Sequence, residues 1–259
     1  MQLTPYLKTW PHPHKPGRII LLATRRCAIL ELSEGLWQRL STAGVLTEQE
    51  QATFTRLGML VADRASEKQA LHDTFVTHNA TARCFEVTAV LTLACNLACP
   101  YCFEDPFRGG LVMSTAVAEL LVARLQEQMA AGLDVLVDFY GGEALLQLEL
   151  LCRIATRLQQ AAARHGVRFT FNLFSNGVLL TRPTVERLLP LGLQAVRTTL
   201  DGPPAIHNVQ RPFVSGAGSF DLILANLAAV QDVLALKIGG NYTRDTYTRF
   251  PELLDLLLG

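Results

Sequence analysis

Several things are scarce in this 259-residue chain, and each shortage excludes something. There is no net charge: 23 Lys and Arg balance 23 Asp and Glu. Nucleic-acid binding needs a clustered excess of Lys and Arg, so no nucleic-acid partner is expected. No apolar run reaches the roughly 20 residues that a membrane-spanning helix requires, so no membrane partner is expected either. The opening residues, Met1-Gln2-Leu3-Thr4-Pro5, lack the basic stretch followed by an apolar one that marks a secretory signal. Cysteine is too unevenly spread for a disulfide framework: of six, three crowd one loop, while Cys27, Cys84 and Cys152 are scattered. These features predict a cytoplasmic protein in a reducing environment. Hydrophobic residues make up 49% of the chain while Gly and Pro are ordinary, so it is globular rather than disordered.

Two regions read differently. Residues 1–65 open with a Pro- and His-rich lead, Pro11-His12-Pro13-His14-Lys15-Pro16-Gly17, in which His12 and His14 read as solvated loop residues. Two strand-like runs follow, Arg18–Leu22 and Cys27–Leu32, joined as a hairpin by residues 23–26. Short helices are predicted over Glu34–Leu40 and Thr47–Leu57, the second opening on the capping box Thr47-Glu48-Gln49-Glu50. Gly58 would end it and Met59-Leu60-Val61 would form a closing strand. This is a small α+β domain, with 66–83 a helical linker.

From residue 84 to 259, strand and helix alternate. Strands are predicted over Phe85–Leu93, Val135–Tyr140, Arg168–Phe174, Ala195–Leu200 and Leu236–Tyr242. Helices are predicted over Ser114–Ala131, Glu143–His165, Thr181–Leu189, Phe220–Val233 and Pro251–Leu258. Repeated strand–helix units demand a parallel sheet covered by helices, a barrel or partial barrel, whose chemistry lies in the loops at the C-terminal strand ends. The polar oddities fall in those loops: Gly141-Gly142-Glu143, Ser175-Asn176-Gly177, Asp201-Gly202-Pro203 and Asn241-Tyr242-Thr243.

The loop after the first of these strands carries the strongest signal. Cys95, Cys99 and Cys102 stand in the run Leu93-Ala94-Cys95-Asn96-Leu97-Ala98-Cys99-Pro100-Tyr101-Cys102-Phe103-Glu104, a C-x3-C-x2-C spacing. Three thiolates on one short loop can hold three corners of a cubic [4Fe–4S] cluster and leave the fourth iron open to a small molecule. A structural zinc site wants four ligands, commonly as two separated pairs, and there is no second pair here. Other features are weaker alone. Gly-Gly is a common strand-to-helix turn, and both Ser175-Asn176-Gly177 and Asp201-Gly202-Pro203 are also ordinary turn chemistry. His207 reads as a structural hydrogen-bonding residue, and the scattered cysteines as small hydrophobes.

Together, Cys95-x3-Cys99-x2-Cys102, Phe139-Tyr140-Gly141-Gly142-Glu143, and Thr199-Leu200-Asp201-Gly202-Pro203 with His207 and Arg211 resemble the radical S-adenosylmethionine superfamily. Within it they look like the peptide-modifying branch (SPASM-type), which includes anaerobic sulfatase maturases and thioether-forming maturases. Pro5-Tyr6-Leu7-Lys8, Pro16-Gly17-Arg18 and Glu104-Asp105-Pro106-Phe107-Arg108-Gly109 are most similar in style to geopeptide maturases.

The resemblance implies that Cys95, Cys99 and Cys102 ligate the cluster and that S-adenosylmethionine chelates its open iron. Electron transfer into the sulfonium then yields a 5′-deoxyadenosyl radical that takes a hydrogen atom from substrate. Gly141 and Gly142 would admit the methionine moiety, and Glu143 would accept from its amino group. Tyr101 would lie against adenine. Ser175, Asn176 and Thr199 would reach ribose or carboxylate, with Thr199 replacing the more common serine. Arg211 would pair with a carboxylate.

The implied fold is a partial (β/α)6 barrel, here truncated after the fifth unit, preceded by a winged-helix-like domain that can recruit a leader peptide as an added strand. The first 65 residues equally suit a structural cap on the barrel. The implied partners are a precursor peptide and an electron donor such as a flavodoxin or ferredoxin, with a thioether or similar crosslink as the product. Two alternatives stand beside it: formylglycine generation on a sulfatase, and a non-catalytic peptide-binding protein with a vestigial barrel.

Overall fold

The computed structural model describes residues 1–107 and 110–258. Arg108 and Gly109, part of the run that carries the narrower resemblance, and the terminal Gly259 lie outside the described residues. The chain forms two compact units, Met1–Ala82 and Arg83–Gly259.

In the first unit, β1 (Gln2–Leu3) pairs antiparallel with β5 (Leu60–Val61), and β2 (Leu7–Pro11), β3 (Arg18–Ala23) and β4 (Ala28–Ser33) form an antiparallel meander. β1 and β2 were not legible in the sequence: one has two residues, and the other is an edge strand closed by Pro11, whose missing N–H suits it to an edge. Helix α1 (Glu34–Ser41) is capped by Ser33. Helix α2 (Glu48–Arg56) carries the expected capping box: Glu50 N donates to Thr47 Oγ1 at 3.2 Å and Thr47 N to Glu50 Oε2 at 2.8 Å. Leu21, Leu32, Leu40, Phe54, Met59 and Leu60 form the core. Helix α3 (Arg64–Thr81) occupies most of the expected linker, and its one buried side chain, Glu67, accepts from Thr4 Oγ1 at 2.8 Å and pairs with Arg25 at 3.3 Å.

The second unit is a five-stranded parallel sheet: β6 (Cys84–Thr92), β7 (Asp134–Gly141), β8 (Phe169–Phe174), β9 (Leu193–Thr199) and β10 (Ala235–Gly239), in spatial order β10-β9-β8-β7-β6. Helices α4 (Thr115–Ala130), α5 (Leu148–His165), α6 (Arg182–Leu188), α8 (Phe220–Val230) and α9 (Phe250–Leu258) alternate with the strands. Period-two alternation decides which residues meet the helices. Val135, Val137 and Phe139 are buried with Phe171 and Leu173 of β8, whereas Leu136, Asp138 and Tyr140 lie half-buried on the opposite face. Phe139 and Phe171 meet edge to face at 5.3 Å.

Three sequence expectations need correcting. The expected helix over Glu143–His165 begins with a 3-10 turn, Ala144–Gln147, because the Glu143 carboxylate caps Leu145 N at 3.0 Å. The last strand stops at Gly239 rather than Tyr242, where Asn241 N leaves the ladder to bond Asp201 Oδ1 at 2.8 Å. A helix that the sequence pattern does not announce, α7 (Pro204–Gln210), follows β9; Pro204 at its first position needs no N–H partner.

Candidate functional site

The cysteine loop leaves β6 at Thr92 and is tied down mostly by backbone. Ala98 N donates to Pro212 O at 2.8 Å and Val214 N to Asn96 O at 3.3 Å, while Leu97, fully buried, bridges to Phe213. Cys102 N donates to Cys99 O at 3.1 Å, closing a turn that brings the last two cysteines onto one arch. Burial pushes the Cys99 thiol up, with Arg211 pulling the other way. Among the described residues, no three His, Cys, Asp or Glu side chains are gathered closely enough to hold one metal ion. A four-iron cube does not ask for that, since each thiolate takes a separate corner.

Opposite lies the turn after β7. Gly141 has φ +142°, and a Cβ there would stand 2.2 Å from Thr92 O. At Gly142 a Cβ would stand 2.5 Å from Ala94 O. Both positions therefore need glycine so that the turn can press on the β6 loop, bonding Gly142 N to Thr92 O at 3.0 Å and Glu143 N to Ala94 O at 2.9 Å.

Glu143 departs from its expected place. Its side chain is fully buried behind the cleft wall, where its oxygens accept from Leu145 N at 3.0 Å, Asn176 N at 2.7 Å and the Ser175 hydroxyl at 3.0 and 3.2 Å. Burial raises its pKa, opposed by these donors. The motif was legible, but the direction of the carboxylate was not. It clamps the loop after β8 to the turn after β7.

A second network crosses the mouth of the cleft. The Tyr101 hydroxyl donates to Asp201 Oδ2 and accepts from Arg211 Nη1 at 2.8 Å and Asn241 Nδ2 at 3.3 Å. Burial pushes the Tyr101 pKa up to about 12, so the hydroxyl keeps its proton at neutral pH. β6 and β10 are opposite edges of the sheet, yet the loop after one meets the loop after the other at the Tyr101 hydroxyl. Asp201 and Asn241 stand out in the sequence as members of polar strand-end loops, but their shared pairing with Tyr101 does not.

His207, fully buried, supports this rim. Its Nδ1 accepts from Asp201 N at 3.3 Å, which leaves the proton on Nε2 to donate to Ser219 Oγ at 3.1 Å; Ser219 in turn donates to Arg211 O at 2.6 Å. Burial first, then Arg211, lowers the His207 pKa from 6.5 to about 4. Because the folded value lies below the unfolded one, the unfolded chain takes the proton first as pH falls. Stability is full above about pH 6.5 and is lost progressively down to about pH 4. The loss is expected to approach 3 kcal/mol, since each tenfold change in proton affinity is worth about 1.4 kcal/mol. Urea unfolding across that window measures it, and His207→Gln should flatten the dependence.

Cys95, Cys99, Cys102, Tyr101, Gly141, Gly142, Ser175, Asn176, Thr199 and Arg211 all line one cleft of about 450 Å³, together with Tyr140, Phe174, Arg197 and Asn241. Of the sequence candidates, Glu143 alone stands behind the wall. Phe174 packs edge-on against Tyr140 at 5.3 Å, and the Arg197 guanidinium lies over the Phe174 ring at 5.8 Å. Strand alternation could have placed Tyr140 and Phe174 on this face. Among the described residues, Arg211 Nε is buried without a hydrogen-bond partner, a donor aimed at nothing the chain supplies.

A parallel α/β sheet whose strand-end loops gather three cysteines and a glycine turn around one cleft, with one arginine N–H left unpartnered, is the architecture of a cofactor-binding, barrel-type protein. The sequence profile of the Radical SAM superfamily matches residues 89–257, and the chain belongs to that superfamily. Members use a [4Fe–4S] cluster and S-adenosylmethionine. The residues present fit both groups: three thiols on one loop for a cluster, and an unpartnered guanidinium N–H for a carboxylate.

The mycofactocin maturase MftC of Mycobacterium tuberculosis is 30% identical over 175 residues, covering 66% of this chain and 41% of the relative. The AdoMet-dependent heme synthase of Oleidesulfovibrio alaskensis is 28% identical over 174 residues, covering 64% and 40%. The solved structure of native anSMEcpe with bound AdoMet and Kp18Cys peptide superposes with a TM-score of 0.57 at 20% identity, covering 67% of this chain and 49% of that one. The chain thus spans about two fifths of the length of the curated relatives it matches. Among the described residues, no helix is long and apolar enough to cross a membrane.

Proposed function

We propose that this chain carries the radical S-adenosylmethionine chemistry that modifies a ribosomally made peptide. The observation that carries the reading is the shared cleft: the three-cysteine loop and the Gly141–Gly142 turn line the same space, and the turn can press on the loop because neither glycine carries a Cβ. Cys95, Cys99 and Cys102 hold the cluster. When bound, the reduced cluster and S-adenosylmethionine supply hydrogen-atom abstraction from carbons that acid–base chemistry cannot touch.

The chain's own residues bind, orient and enclose. Gly141 and Gly142 admit the methionine moiety against bare backbone. Thr199 lines the cleft, as does Ser175, whose hydroxyl is held by Glu143. The buried Arg211 Nε pairs with a carboxylate, of the cofactor or of the peptide. Tyr101 holds the cysteine loop to the far rim while its ring is offered to adenine. Glu143 does not touch the cofactor's amino group in this scheme; its carboxylate holds Ser175 and Asn176 in place.

A maturase relative at 30% identity and the fold shared with a peptide-bound protein support a peptide substrate. The first unit, read as a winged-helix-like element, would recruit the leader: β2 pairs on one side only and leaves an edge for an added strand. A thioether or similar crosslink is the product we favour, with a flavodoxin or ferredoxin as electron donor. A reducing cytoplasm suits the thiolates. The heme synthase relatives favour, as the second reading, a tetrapyrrole substrate.

The test is anaerobic reconstitution with iron and sulfide, reduction, and an assay for 5′-deoxyadenosine. The product is expected, and a cysteine-bearing precursor peptide should raise its yield and change in mass. A folded, cluster-bearing chain that binds S-adenosylmethionine and releases no 5′-deoxyadenosine would contradict the proposal. Stimulation by a porphyrin rather than a peptide would select the second reading.

A further inference from the structure

Resting on the cluster reading above, we propose that Asn176 tunes the reduction potential of the [4Fe–4S] cluster by donating an N–H hydrogen bond to the sulfur of Cys95, with Glu143 as the clamp that holds Asn176 in register. Asn176 is 5% exposed, and its amide has one available orientation. Oδ1 accepts from Val178 N at 3.0 Å, so Nδ2 must face the cysteine loop. There its two hydrogens meet two acceptors, Cys95 Sγ at 3.6 Å and Asn96 Oδ1 at 2.6 Å. Rotating the amide would set two oxygens against each other at Asn96 and an N–H against another at Val178. The backbone is equally constrained, since Asn176 N donates to Glu143 Oε2 at 2.7 Å in a site without water access to the carboxylate.

The Cys95 sulfur also receives Leu97 N at 3.4 Å. Two N–H groups therefore point at one ligand atom. Donors aimed at a cluster thiolate stabilise the added negative charge of the reduced state and raise its potential, more strongly where the dielectric is low. The Leu97 donor is backbone and present whatever the side chain. The Asn176 donor is the adjustable one, and it acts through Cys95 as a positioning residue, as outer partners of metal ligands do.

The experiment is an EPR-monitored potentiometric titration of the reconstituted full chain. Wild type is expected to have the highest potential, Asn176→Ala a more negative one, and Asn176→Asp the most negative, because an aspartate keeps the shape but offers only acceptors. A packing role alone would rank the isosteric aspartate closer to wild type than alanine.

Should either variant fail to hold a cluster, pulsed EPR on protein labelled at the side-chain nitrogen of asparagine reads the same contact. An Asn96→Asp, Asn241→Ser background keeps the acceptor that Asn176 faces while removing the two other asparagine labels near the cleft. Nitrogen coupling to the reduced cluster is expected, and its absence overturns the proposal. A wild-type chain that takes up no cluster defeats the underlying functional reading. A wild-type cluster whose potential is unmoved in both variants defeats this proposal alone.

Discussion

Cys99→Ala is expected to yield a folded, colourless protein after anaerobic reconstitution with iron and sulfide, where wild type turns brown. The loop is held in place without its thiols. Its anchors are the backbone bonds Ala98 N to Pro212 O and Cys102 N to Cys99 O, and the buried Leu97 side chain, none of which needs a thiol. Removing one sulfur at a buried position should change stability by about 1 kcal/mol, the ordinary size for a point substitution. The cluster, by contrast, loses one of its three thiolate corners. Iron and sulfide content should fall to background and 5′-deoxyadenosine should vanish, while the unfolding midpoint stays close to wild type. Retained cofactor cleavage in this variant would contradict the ligand assignment.

The second large effect is expected from Gly142→Ala. A methyl group at this position would stand 2.5 Å from Ala94 O and 2.8 Å from Leu93 O, both backbone atoms on the cysteine loop. No rotamer relieves the contact, so the two loops must part. That breaks Gly142 N to Thr92 O and Glu143 N to Ala94 O, the bonds that set the turn against the end of the first strand of the parallel sheet. The cost is expected to be about 3 kcal/mol or more, in the range of substitutions that strain backbone in a packed site. S-adenosylmethionine binding should be lost even in preparations that retain a cluster, as equilibrium dialysis on the reconstituted protein would show. Wild-type affinity in this variant would mean that the turn does not shape the cofactor site.

These two predictions concern the parts of the site that were plainest in the sequence. The C-x3-C-x2-C spacing and the Gly-Gly pair are local, and the strand–helix alternation places both at the same end of a parallel sheet. The capping box of Thr47 and Glu50 was legible for the same reason: its partners are three residues apart. What could not be read depends on distant partners or on the direction of a side chain. Tyr101 meets Arg211 and Asn241 across separations of 110 and 140 residues. Glu143 reads as a cleft residue from its motif, yet its carboxylate is captured by the loop after the third parallel strand, and that capture also turns the start of the next helix into a 3-10 turn. The short helix over Pro204–Gln210 was hidden because Asp201-Gly202-Pro203 reads as turn chemistry and only seven helical residues follow.

The most direct measurement is Mössbauer spectroscopy of the chain reconstituted with isotope-enriched iron, with and without S-adenosylmethionine. A [4Fe–4S] cluster held by three sulfurs has one iron unlike the other three. The expected result is a four-iron cluster in which that one site alone shifts when S-adenosylmethionine is added. A chain that binds a single zinc tightly and takes up no iron, or a cluster with no site responsive to S-adenosylmethionine, would contradict the account.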